Sequence, residues 1–581
     1  MLSAIPDPAT AAAVVVALGA SRGSAVGLAV AADGTTGLSV DGSLVTTPSG
    51  LGPACVAAID VEVRPRWIVW SPDTAAALVA HGVRIATCWD VAAVHRLQVG
   101  GWRNEPARVW ATLHDLDRRH LPVMGQLDLL GGDGGGDPDD PVRPDGYLRP
   151  EWCGGAWWAS SRDAAAWAAV GARAAARQQL FLGALKADGQ VPGDPLATAR
   201  AESTAELLCV ELASDGLPLD REAAGALIES MVGPRPSDEG QAAAERARRD
   251  ADVLQHLPVG GAVDLRNPAE VKAMLRRLGI DVPDTRAWRL EAMRDVHPVV
   301  EALLRWRKAE RVATTYGHQW LDEHVGDDGR LRGTWSASDG AAGRMTAQAG
   351  LHNLPAELRP VVRAGDGHLF VRADLGQIEP RVLAAVSGDD ALRRATQDDD
   401  LYAPVAKRLG VERSVAKIAV LAAMYGQTSG TAGQALRGME TAYPVAMRYL
   451  QDAARSGQAG ISPRTYGGRL VRMGEVTDGD HAGSAAAARG RYARNAMVQG
   501  AAAELFKVWA VTLRARMGDL DARIVLCLHD ELLVHVRDED APQVVDLLDT
   551  CLHEAAHRWH PTSGVRFVTD TSVVHSWADA K

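Results

Sequence analysis

The pattern of apolar and polar positions predicts an α/β arrangement at the start of the chain and a hairpin near its end. Strand-like apolar runs at residues 25–31 and 67–70 alternate with helical segments, as in α/β domains. Towards the C-terminus, the sequence LCLHDELLVHV predicts two apolar half-strands around a three-residue ionisable turn, His529, Asp530 and Glu531.

The two carboxylates of this turn have two possible explanations. Hairpin turns commonly contain Asp, and charged tips often simply face water. Carboxylates at the tip of a buried hairpin, however, lose solvation, a cost that a hydrogen-bond partner or a metal ion normally offsets. The triplet by itself does not decide between a solvated turn and a site.

A second acidic position favours a site. A strand-like run at residues 369–373 leads directly into Asp374, and a helix is predicted from Ile378, with Pro380 in its first turn where a missing N–H is harmless. An Asp between a strand and a helix is a recurrent position for a metal ligand or a catalytic acid.

Four residues at a spacing of four form a helical stripe before Gly426: Arg413, Lys417, Leu421 and Tyr425. Each step of four drifts by about 40°, so the stripe stays on one side of the helix and rises about 18 Å. A triphosphate followed by a sugar and a base fits such a surface. The alternative is an amphipathic surface helix with snorkelling basic side chains, which explains the Tyr-Gly pair less well.

Composition limits the possible classes of protein. The chain has 581 residues, 47% of them hydrophobic, which is enough for several domains. Six cysteines without CxxC spacing argue against a zinc site and a disulfide framework. No apolar run reaches transmembrane length, and the Ala/Val-rich start near Ala11 lacks a basic n-region, so we expect a cytoplasmic protein.

The net charge of −11 would by itself argue against a nucleic-acid partner. It is a sum over the whole chain and says little about one cleft. A local basic segment is present at Arg305, Arg307, Lys308 and Arg311. It is either a solvated helix face or a grip on a nucleic-acid backbone.

The chain resembles family A DNA polymerases, the group of bacterial DNA polymerase I, in five segments that occur in the family order. Motif A is DLGQIEPR from Asp374, motif B is RSVAKIAVLAAMYG from Arg413, and motif C is HDE from His529. Two further segments agree, AGRMTAQAGLHNLP and RYARNAMVQGAAAELFK. Each segment alone is weak, and their common order makes the resemblance specific.

The resemblance implies an α/β N-terminal exonuclease-like domain of the ribonuclease H-like type, followed by an α+β right-hand polymerase domain with palm, fingers and thumb. The expected boundaries are residues 1–190 for the exonuclease-like domain, 191–325 for the thumb, 326–400 for the palm with motif A, 401–483 for the fingers with motif B, and 484–581 for the returning palm with motif C. The segment from Thr204 resembles the start of the polymerase portion, where a helix ends at Gly216 and another begins at Asp220. Breaker-rich stretches follow Gly131, as an expected flexible insertion, and Gly233, between two helices.

The resemblance also implies the roles of individual residues. Catalytic roles are expected for Asp374, Asp530 and Lys417. Two Mg²⁺ ions, for which Mn²⁺ can substitute, are expected on Asp374, Asp530, the carbonyl of Leu375 and, secondarily, Glu531. Contacts with the incoming dNTP are expected from Arg413, Lys417, Leu421, Tyr425, Glu379 and Gln377. Contacts with primer–template DNA are expected from Arg344, Asn353, Arg491, Asn495, Gln499 and His529.

Glu379 is expected beneath the sugar, where it would exclude a 2′-hydroxyl, although a first-turn Glu is also favoured by the helix dipole. The chain departs from the family pattern at several positions: Leu421 replaces an aromatic residue, Val420 an Asn, Gly376 a small hydroxyl residue, Pro380 a Leu and His352 a Gln. None of these changes removes a predicted metal ligand or the Arg/Lys pair. We therefore predict an active polymerase with altered affinity and sugar discrimination.

The N-terminal domain lacks the pattern of a proofreading site, which needs about four carboxylates around two metals. Asp73 occupies one acidic position, but Val69 stands where an Asn should precede it. Asp60-Val61-Glu62 lies too close to Asp73 to form the first strand, and Ala159 replaces the Tyr expected four residues before Asp163. We predict a relic domain that braces the palm or guides single-stranded DNA, with no 5′-nuclease domain preceding it.

The leading function is a monomeric, template-directed DNA polymerase of DNA replication or repair, which acts on primer–template DNA and dNTPs at the bacterial nucleoid, without a membrane. Residual 3′–5′ exonuclease activity, a nuclease with a vestigial polymerase half, and a non-catalytic primer–template binding protein are the alternatives. Glu379 argues against a single-subunit RNA polymerase, which needs room for the 2′-hydroxyl.

Overall fold

A computed structural model describes residues 2–124, 137–258, 263–340, 342–426, 431–474 and 483–580, with the side chains of 431–435 excepted. The chain divides into two compact units. The first comprises Met1–Ser214, Trp335–Thr346 and Val371–Ser572, and the second comprises Asp215–Thr334, Ala347–Phe370 and Val573–Lys581. Of the predicted insertion that starts at Gly131, residues 131–136 lie outside the described residues, whereas residues 137–146 are described. No helix within the described ranges is long and apolar enough to cross a bilayer.

The first unit begins with a six-stranded mixed sheet in the order β1-β4-β3-β2-β5-β6. Its strands are β1 Leu2–Ala4, β2 Ala25–Val30, β3 Thr36–Val40, β4 Ser43–Thr46, β5 Arg66–Val69 and β6 Cys88–Asp90. The helices of this segment are α1 Ala11–Ala17, α2 Gly52–Glu62, α3 Pro72–Ala80, α4 Val91–Val99, α5 Pro106–Leu113, α6 Pro150–Cys153, α7 Ser161–Ala187 and α8 Pro195–Asp215. The α/β character predicted from the strand-like runs at 25–31 and 67–70 is confirmed.

Period-two alternation along β2 gives this sheet two buried faces. Val26, Leu28 and Val30 join a core with the first helices, whereas Ala29 joins a second core that includes residues of α7. A Cβ at Gly27 would lie 2.5 Å from the carbonyl oxygen of Ala168 in α7. Only glycine permits the observed approach of α7 to the strand, since real Cβ atoms keep a larger separation.

The second unit is mainly helical. Its elements are β7 Leu217–Pro218, α9 Arg221–Val232, α10 Glu239–Leu254, α11 Pro268–Arg277, α12 Ala287–Glu291, α13 Pro298–Thr315, α14 His318–His324 and β8 Arg330–Leu331. The predicted helix break between Gly216 and Asp220 is confirmed, because α8 ends at Asp215 and the Asp220 side chain caps α9 through the amide of Ala223, at 2.9 Å. The break after Gly233 is also confirmed, since α10 begins at Glu239.

The basic segment predicted at residues 305–311 lies on α13. Lys308 pairs with Glu357 at 2.8 Å, and Arg311 donates to the backbone carbonyl of Asn353 at 2.6 Å. Arg307 donates to the carbonyl of Thr285. These three side chains therefore stabilise the helical unit itself, whatever else they contact.

The rest of the first unit contains a four-stranded sheet in the order β12-β13-β11-β14 and a hairpin of β9 and β10. The strands are β9 Trp335–Asp339, β10 Arg344–Ala347, β11 His368–Leu375, β12 Ala522–Leu528, β13 Glu531–Arg537 and β14 Thr569–Val574. The helices are α15 Ile378–Ser387, α16 Asp390–Ala395, α17 Tyr402–Leu409, α18 Arg413–Tyr425, α19 Thr431–Ala442, α20 Pro444–Gln458, α21 Gly483–Arg516 and α22 Ala541–Trp559.

A buried ion network lies within the first unit. Lys507 of α21 donates to both carboxylate oxygens of Glu202 in α8, each at 2.7 Å, and Arg469 pairs with the same carboxylate at 2.6 Å. Glu202 and Lys507 are each 1% exposed. One turn along α8, Glu206 pairs with Arg96 of α4. Because unpaired charges are costly to bury, the network fixes α8 against both α4 and α21.

Candidate active site

Strand β11 brings Asp374 to one end of the four-stranded sheet. The predicted strand before Asp374 and the predicted helix from Ile378 are both confirmed. Gln377 takes a left-handed conformation (φ 55°) at the start of α15, which allows the sharp change of direction. The backbone amide of Leu375 donates to the carbonyl of Asp530 at 2.9 Å. Asp374 and Asp530, 156 positions apart in sequence, are therefore neighbours in space.

The turn between β12 and β13 is shorter than predicted. Leu528 pairs with Glu531 in the antiparallel ladder, so Glu531 is the first residue of β13 and the turn contains only His529 and Asp530. The prediction of a three-residue turn was wrong, because an acidic residue can pair its backbone in a strand while its side chain stays at the edge. His529 is exposed and has φ 54°, as a tight hairpin turn requires.

The two aspartates share an unfavourable electrostatic environment. Burial raises the pKa of Asp530 to about 7, with further contributions from the charges of Glu379 and Asp374, while Arg344 opposes the shift. Burial also raises the pKa of Asp374; Arg372 opposes this shift, and Glu531 adds to it. A bound cation would relieve the repulsion between these carboxylates.

Oxygen donors of this kind fit a hard divalent cation. Within the described ranges, no three His, Cys, Asp or Glu side chains are clustered as ligands of a metal ion. Glu531, predicted as a secondary ligand, forms an ion pair with Arg372 at 3.0 Å. Oxygen donors for such a cation would come from these aspartates, from the backbone carbonyl predicted at Leu375, from water and from the reactants.

The stripe predicted on motif B lies on α18, which runs from Arg413 to Tyr425 and ends at Gly426 with φ 68°. Arg413 and Lys417 are exposed, whereas Leu421 and Tyr425 are half-buried. Val420, which replaces the family's Asn, is buried in the core with 1% exposure. A basic end and an apolar end therefore share one side of the helix.

Glu379 links motif A to motif B. Its carboxylate accepts from Arg344 of β10 at 2.5 Å and from the Tyr425 hydroxyl at 3.1 Å. Tyr425 is also hydrogen-bonded to the side chain of Gln499 on α21. Since Glu379 and Arg344 both influence the pKa of Asp530, this group lies beside the aspartates. The structure thus brings together residues predicted from five separate segments.

The other predicted DNA contacts divide between the two units. Arg491, Asn495 and Gln499 recur every four residues on α21, which places them on one side of that helix. Arg491 is exposed, and the buried side-chain oxygen of Asn495 has no hydrogen-bond partner among the described residues. Asn353 is exposed in the second unit.

Besides Arg372, two residues at this site were missed by sequence reasoning. Arg381 is fully buried in α15, and its five N–H groups donate to five backbone carbonyls, those of Gly376, Thr396, Asp398, Asp399 and Arg566, at 2.5–3.0 Å. The loop that it holds carries Asp400, which pairs with Arg413 at 2.5 Å. An arginine in an apolar helix was the available signal for the first residue, and the sequence contained none for the second.

The replacement of the family's small hydroxyl residue by Gly376 has a steric explanation. The amide of Gly376 donates to the carbonyl of Val568 at 3.0 Å, and a Cβ at this position would lie 3.0 Å from a methyl group of Val568. A hydroxyl side chain would require Val568 to move. The close approach explains why glycine occupies the position.

Comparison with known proteins identifies the class. The fold matches that of a solved structure described as the POL domain of Pol1 from M. smegmatis in complex with DNA primer-template and dNTP, with a TM-score of 0.67, 21% identity and full coverage of both chains. The chain therefore has the fold of a polymerase domain. The family model for DNA polymerase family A matches residues 259–579, more than half of the sequence. The chain belongs to DNA polymerase family A.

Curated relatives include two bacterial enzymes. The chain is 29% identical over 348 residues to DNA polymerase I of Chloroflexus aurantiacus, and 31% identical over 290 residues to the thermostable DNA polymerase I of Thermus aquaticus. These matches cover 52% and 45% of this chain, and 36% and 35% of the relatives. The chain thus spans about a third of the length of the relatives that it matches.

Proposed function

We propose that the chain is a template-directed DNA polymerase, which adds deoxynucleotides to a primer 3′ end. The observation that carries the proposal is the juxtaposition of Asp374 and Asp530, two carboxylates with raised pKa values, beside the ordered group of Glu379, Arg344 and Tyr425. Family membership supports the same activity. Primer–template DNA and dNTPs are the proposed partners, and we infer that the enzyme acts as a monomer at the bacterial nucleoid.

Asp374 and Asp530, with the Leu375 carbonyl, would hold two Mg²⁺ ions, or Mn²⁺ in their place. When bound, such ions lower the pKa of the primer 3′-hydroxyl and neutralise the charge that develops on the leaving pyrophosphate. The two aspartates keep this end of the sheet acidic and partly shielded from water, so that it attracts and orients cations.

Arg413 and Lys417 bind the triphosphate, Arg413 through a planar fork of donors and Lys417 as a point charge that can also give a proton to pyrophosphate. The incoming triphosphate must displace Asp400, which forms the ion pair with Arg413 in the present structure. The side-chain amide of Gln377 donates through Nε2 to Asp400 at 3.4 Å and accepts through Oε1 from the backbone amide of Leu401 at 2.9 Å, so Gln377 orders this loop beside the nucleotide. Asp400 thus competes with the triphosphate for the same guanidinium.

Glu379 is the proposed sugar gate. Its two oxygens are held by Arg344 and Tyr425, so the carboxylate cannot easily rotate away from a 2′-hydroxyl. Leu421, half-buried where the family has an aromatic residue, leaves less surface for the sugar to stack on. We therefore infer that the enzyme selects deoxynucleotides, and that Leu421 packs on the nucleotide sugar more weakly than the family's aromatic residue would. The proposed contacts to primer and template remain Gln499, Arg491, Asn495, Asn353 and His529.

We also propose that the N-terminal α/β segment is an exonuclease-like domain of the ribonuclease H-like type without nuclease activity. Strand β2 carries no carboxylate, and the close packing of α7 at Gly27 leaves no room for one on that face. Asp60 and Glu62 belong to helix α2 rather than to a strand, and Asp60 accepts from the Trp67 indole at 2.7 Å. The mixed sheet with flanking helices supports this interpretation.

The two remaining acidic positions have local structural roles. The carboxylate of Asp73 accepts from the Ser71 hydroxyl at 2.8 Å at the start of α3, and that of Asp163 accepts from the Ser160 hydroxyl at 2.6 Å at the start of α7. Both stabilise helix N-termini. The domain is proposed as a brace for the palm, consistent with the buried ion network between α4, α8 and α21.

One primer-extension assay tests both parts of the proposal. Purified protein with Mg²⁺ is given a labelled primer–template, with four dNTPs in one arm, four rNTPs in a second and no nucleotide in a third. Extension with dNTPs, little extension with rNTPs and an intact primer without nucleotide are expected. Absence of extension would overturn the polymerase assignment, and metal-dependent shortening that Asp73→Ala abolishes would overturn the inactive-nuclease assignment.

A further inference from the structure

Arg372 connects the acidic residues of the site. It lies on β11 two residues before Asp374, so both side chains project from the same face of the strand. Its guanidinium pairs with Asp374 at 3.1 Å, with Glu531 at 3.0 Å and with Asp570 at 3.4 Å. These carboxylates come from β11 and from its two neighbours in the sheet, β13 and β14.

The geometry of these contacts links the positions of two carboxylates. The Nη2 atom donates to Asp374 and the Nε atom donates to Glu531, and both nitrogens belong to one rigid plane. The side chain of Arg372 is 12% exposed and that of Glu531 is 13% exposed, so water competes weakly for these hydrogen bonds. Asp374 cannot turn without breaking a charge-assisted hydrogen bond.

The charge of Arg372 also opposes cation binding. A guanidinium fixed about 3 Å from a carboxylate oxygen cancels much of the field that attracts a divalent ion, and it occupies a lone pair on that oxygen. A site with the same carboxylates and no arginine would bind cations more tightly, but with a less defined orientation of Asp374.

We propose that Arg372 is a positioning residue, which orients Asp374 against Glu531 and holds the divalent-cation affinity of the site below that of the bare carboxylates. The catalytic part of this role rests on the proposed polymerase function. Glu531 then acts as the anchor that holds Arg372 in place.

Direct cation binding tests the electrostatic part without any catalysis. Mn²⁺ alone is titrated into the full chain, without DNA or dNTP, and free Mn²⁺ is followed by electron paramagnetic resonance. Arg372→Gln is expected to bind at least about fivefold more tightly than wild type, and Arg372→Lys, which keeps the charge, to stay within about twofold. Arg523→Ala, which removes an exposed arginine on β12, is the matched control and is expected to leave the affinity unchanged.

Kinetics test the positioning part. In single-nucleotide incorporation, Arg372→Gln is expected to need less Mg²⁺ for half-maximal rate, yet to lose at least about tenfold in kcat at saturating Mg²⁺. Arg372→Lys should lose kcat at a normal Mg²⁺ requirement. A merely structural role would instead raise the Mg²⁺ requirement and lower kcat together.

Equal or weaker Mn²⁺ binding by Arg372→Gln would overturn the proposal. If that variant does not fold, Arg372→Lys decides: normal Mn²⁺ affinity with reduced kcat supports the positioning role, and weakened affinity overturns it. A wild-type chain that binds Mn²⁺ but extends no primer would refute the polymerase function, while the comparison of Mn²⁺ affinities would still test the role of Arg372.

Discussion

Asp530→Asn should make the metal-free protein more stable at pH 8 while it removes synthesis. The pKa of Asp530 is about 7 in the folded chain against an ordinary value of 3.8. A group whose pKa is raised by folding contributes stability that is fully present below the unfolded value and is lost as the pH rises through the folded value. Above pH 7 the ionised carboxylate therefore destabilises the fold, and the neutral amide does not.

The magnitude follows from the pKa shift. One pKa unit corresponds to about 1.4 kcal/mol, so the full shift sets a ceiling of about 4 kcal/mol. The Asp530 side chain is half-buried, and screening by solvent reduces the expected gain to about 1–2 kcal/mol. The gain should shrink as the pH falls below 7 and vanish below about pH 3.8, where the carboxyl is neutral in both the folded and the unfolded chain.

Differential scanning calorimetry in EDTA, at pH 8 and at pH 4.5, measures the effect. A rise of about 1–3 °C in the unfolding midpoint is expected for Asp530→Asn at pH 8, with little change at pH 4.5. Asp519→Asn, an exposed carboxylate before β12, is the matched control and should change neither value. Mg²⁺ should stabilise the wild type more than Asp530→Asn. A variant less stable than wild type at pH 8, or a gain independent of pH, would show that the ionised Asp530 carboxylate does not destabilise the fold.

Three further changes probe separate parts of the molecule. Glu202→Gln leaves the buried Lys507 and Arg469 without their carboxylate, so urea denaturation should show that the free energy of unfolding falls by about 3–5 kcal/mol. The control Asp521→Asn, at an exposed ion pair, should lower it by at most about 1 kcal/mol. Asp400→Asn frees Arg413, so steady-state kinetics should show a severalfold lower KM for dNTP with little change in kcat. Glu379→Ala removes the sugar gate, so a dNTP/rNTP competition assay should show at least about tenfold weaker discrimination.

Each of these predictions has a contradicting result. Equal losses of stability from Glu202→Gln and Asp521→Asn would mean that the buried network does not hold the unit together. A higher KM in Asp400→Asn would mean that Asp400 orders the nucleotide site rather than competing for it. Unchanged discrimination in Glu379→Ala would place the selection of the sugar elsewhere.

Local sequence patterns predicted the elements around the site well, because each depends on nearby residues. The apolar run before Asp374 forms β11, and the four-residue spacing from Arg413 to Tyr425 forms α18, which ends at a left-handed glycine. The hairpin was predicted with one residue too many in its turn. Whether Glu531 belongs to the turn or to the strand depends on its pairing with Leu528, which composition does not encode.

Partners distant in sequence were not predictable. Arg381 reaches the carbonyl of Arg566, 185 positions away, and Arg372 reaches Asp570, 198 positions away. Arg413 was predicted to meet a triphosphate, but its ion pair with Asp400 was not foreseen. In each case the role of an arginine depends on which carboxylate or carbonyl the tertiary fold brings to it. No periodic signal in the sequence marks that partner.

We expect DNA synthesis to depend on Asp374 and Asp530 together. Rapid-quench measurement of one templated dNTP addition, at saturating Mg²⁺ and primer–template, compares wild type with Asp374→Asn, Asp530→Asn and the control Asp519→Asn. Both active-site variants should lose at least about 10³-fold in rate, with DNA binding retained, while the control keeps the wild-type rate. Incorporation by either variant within tenfold of the wild-type rate would contradict the claim.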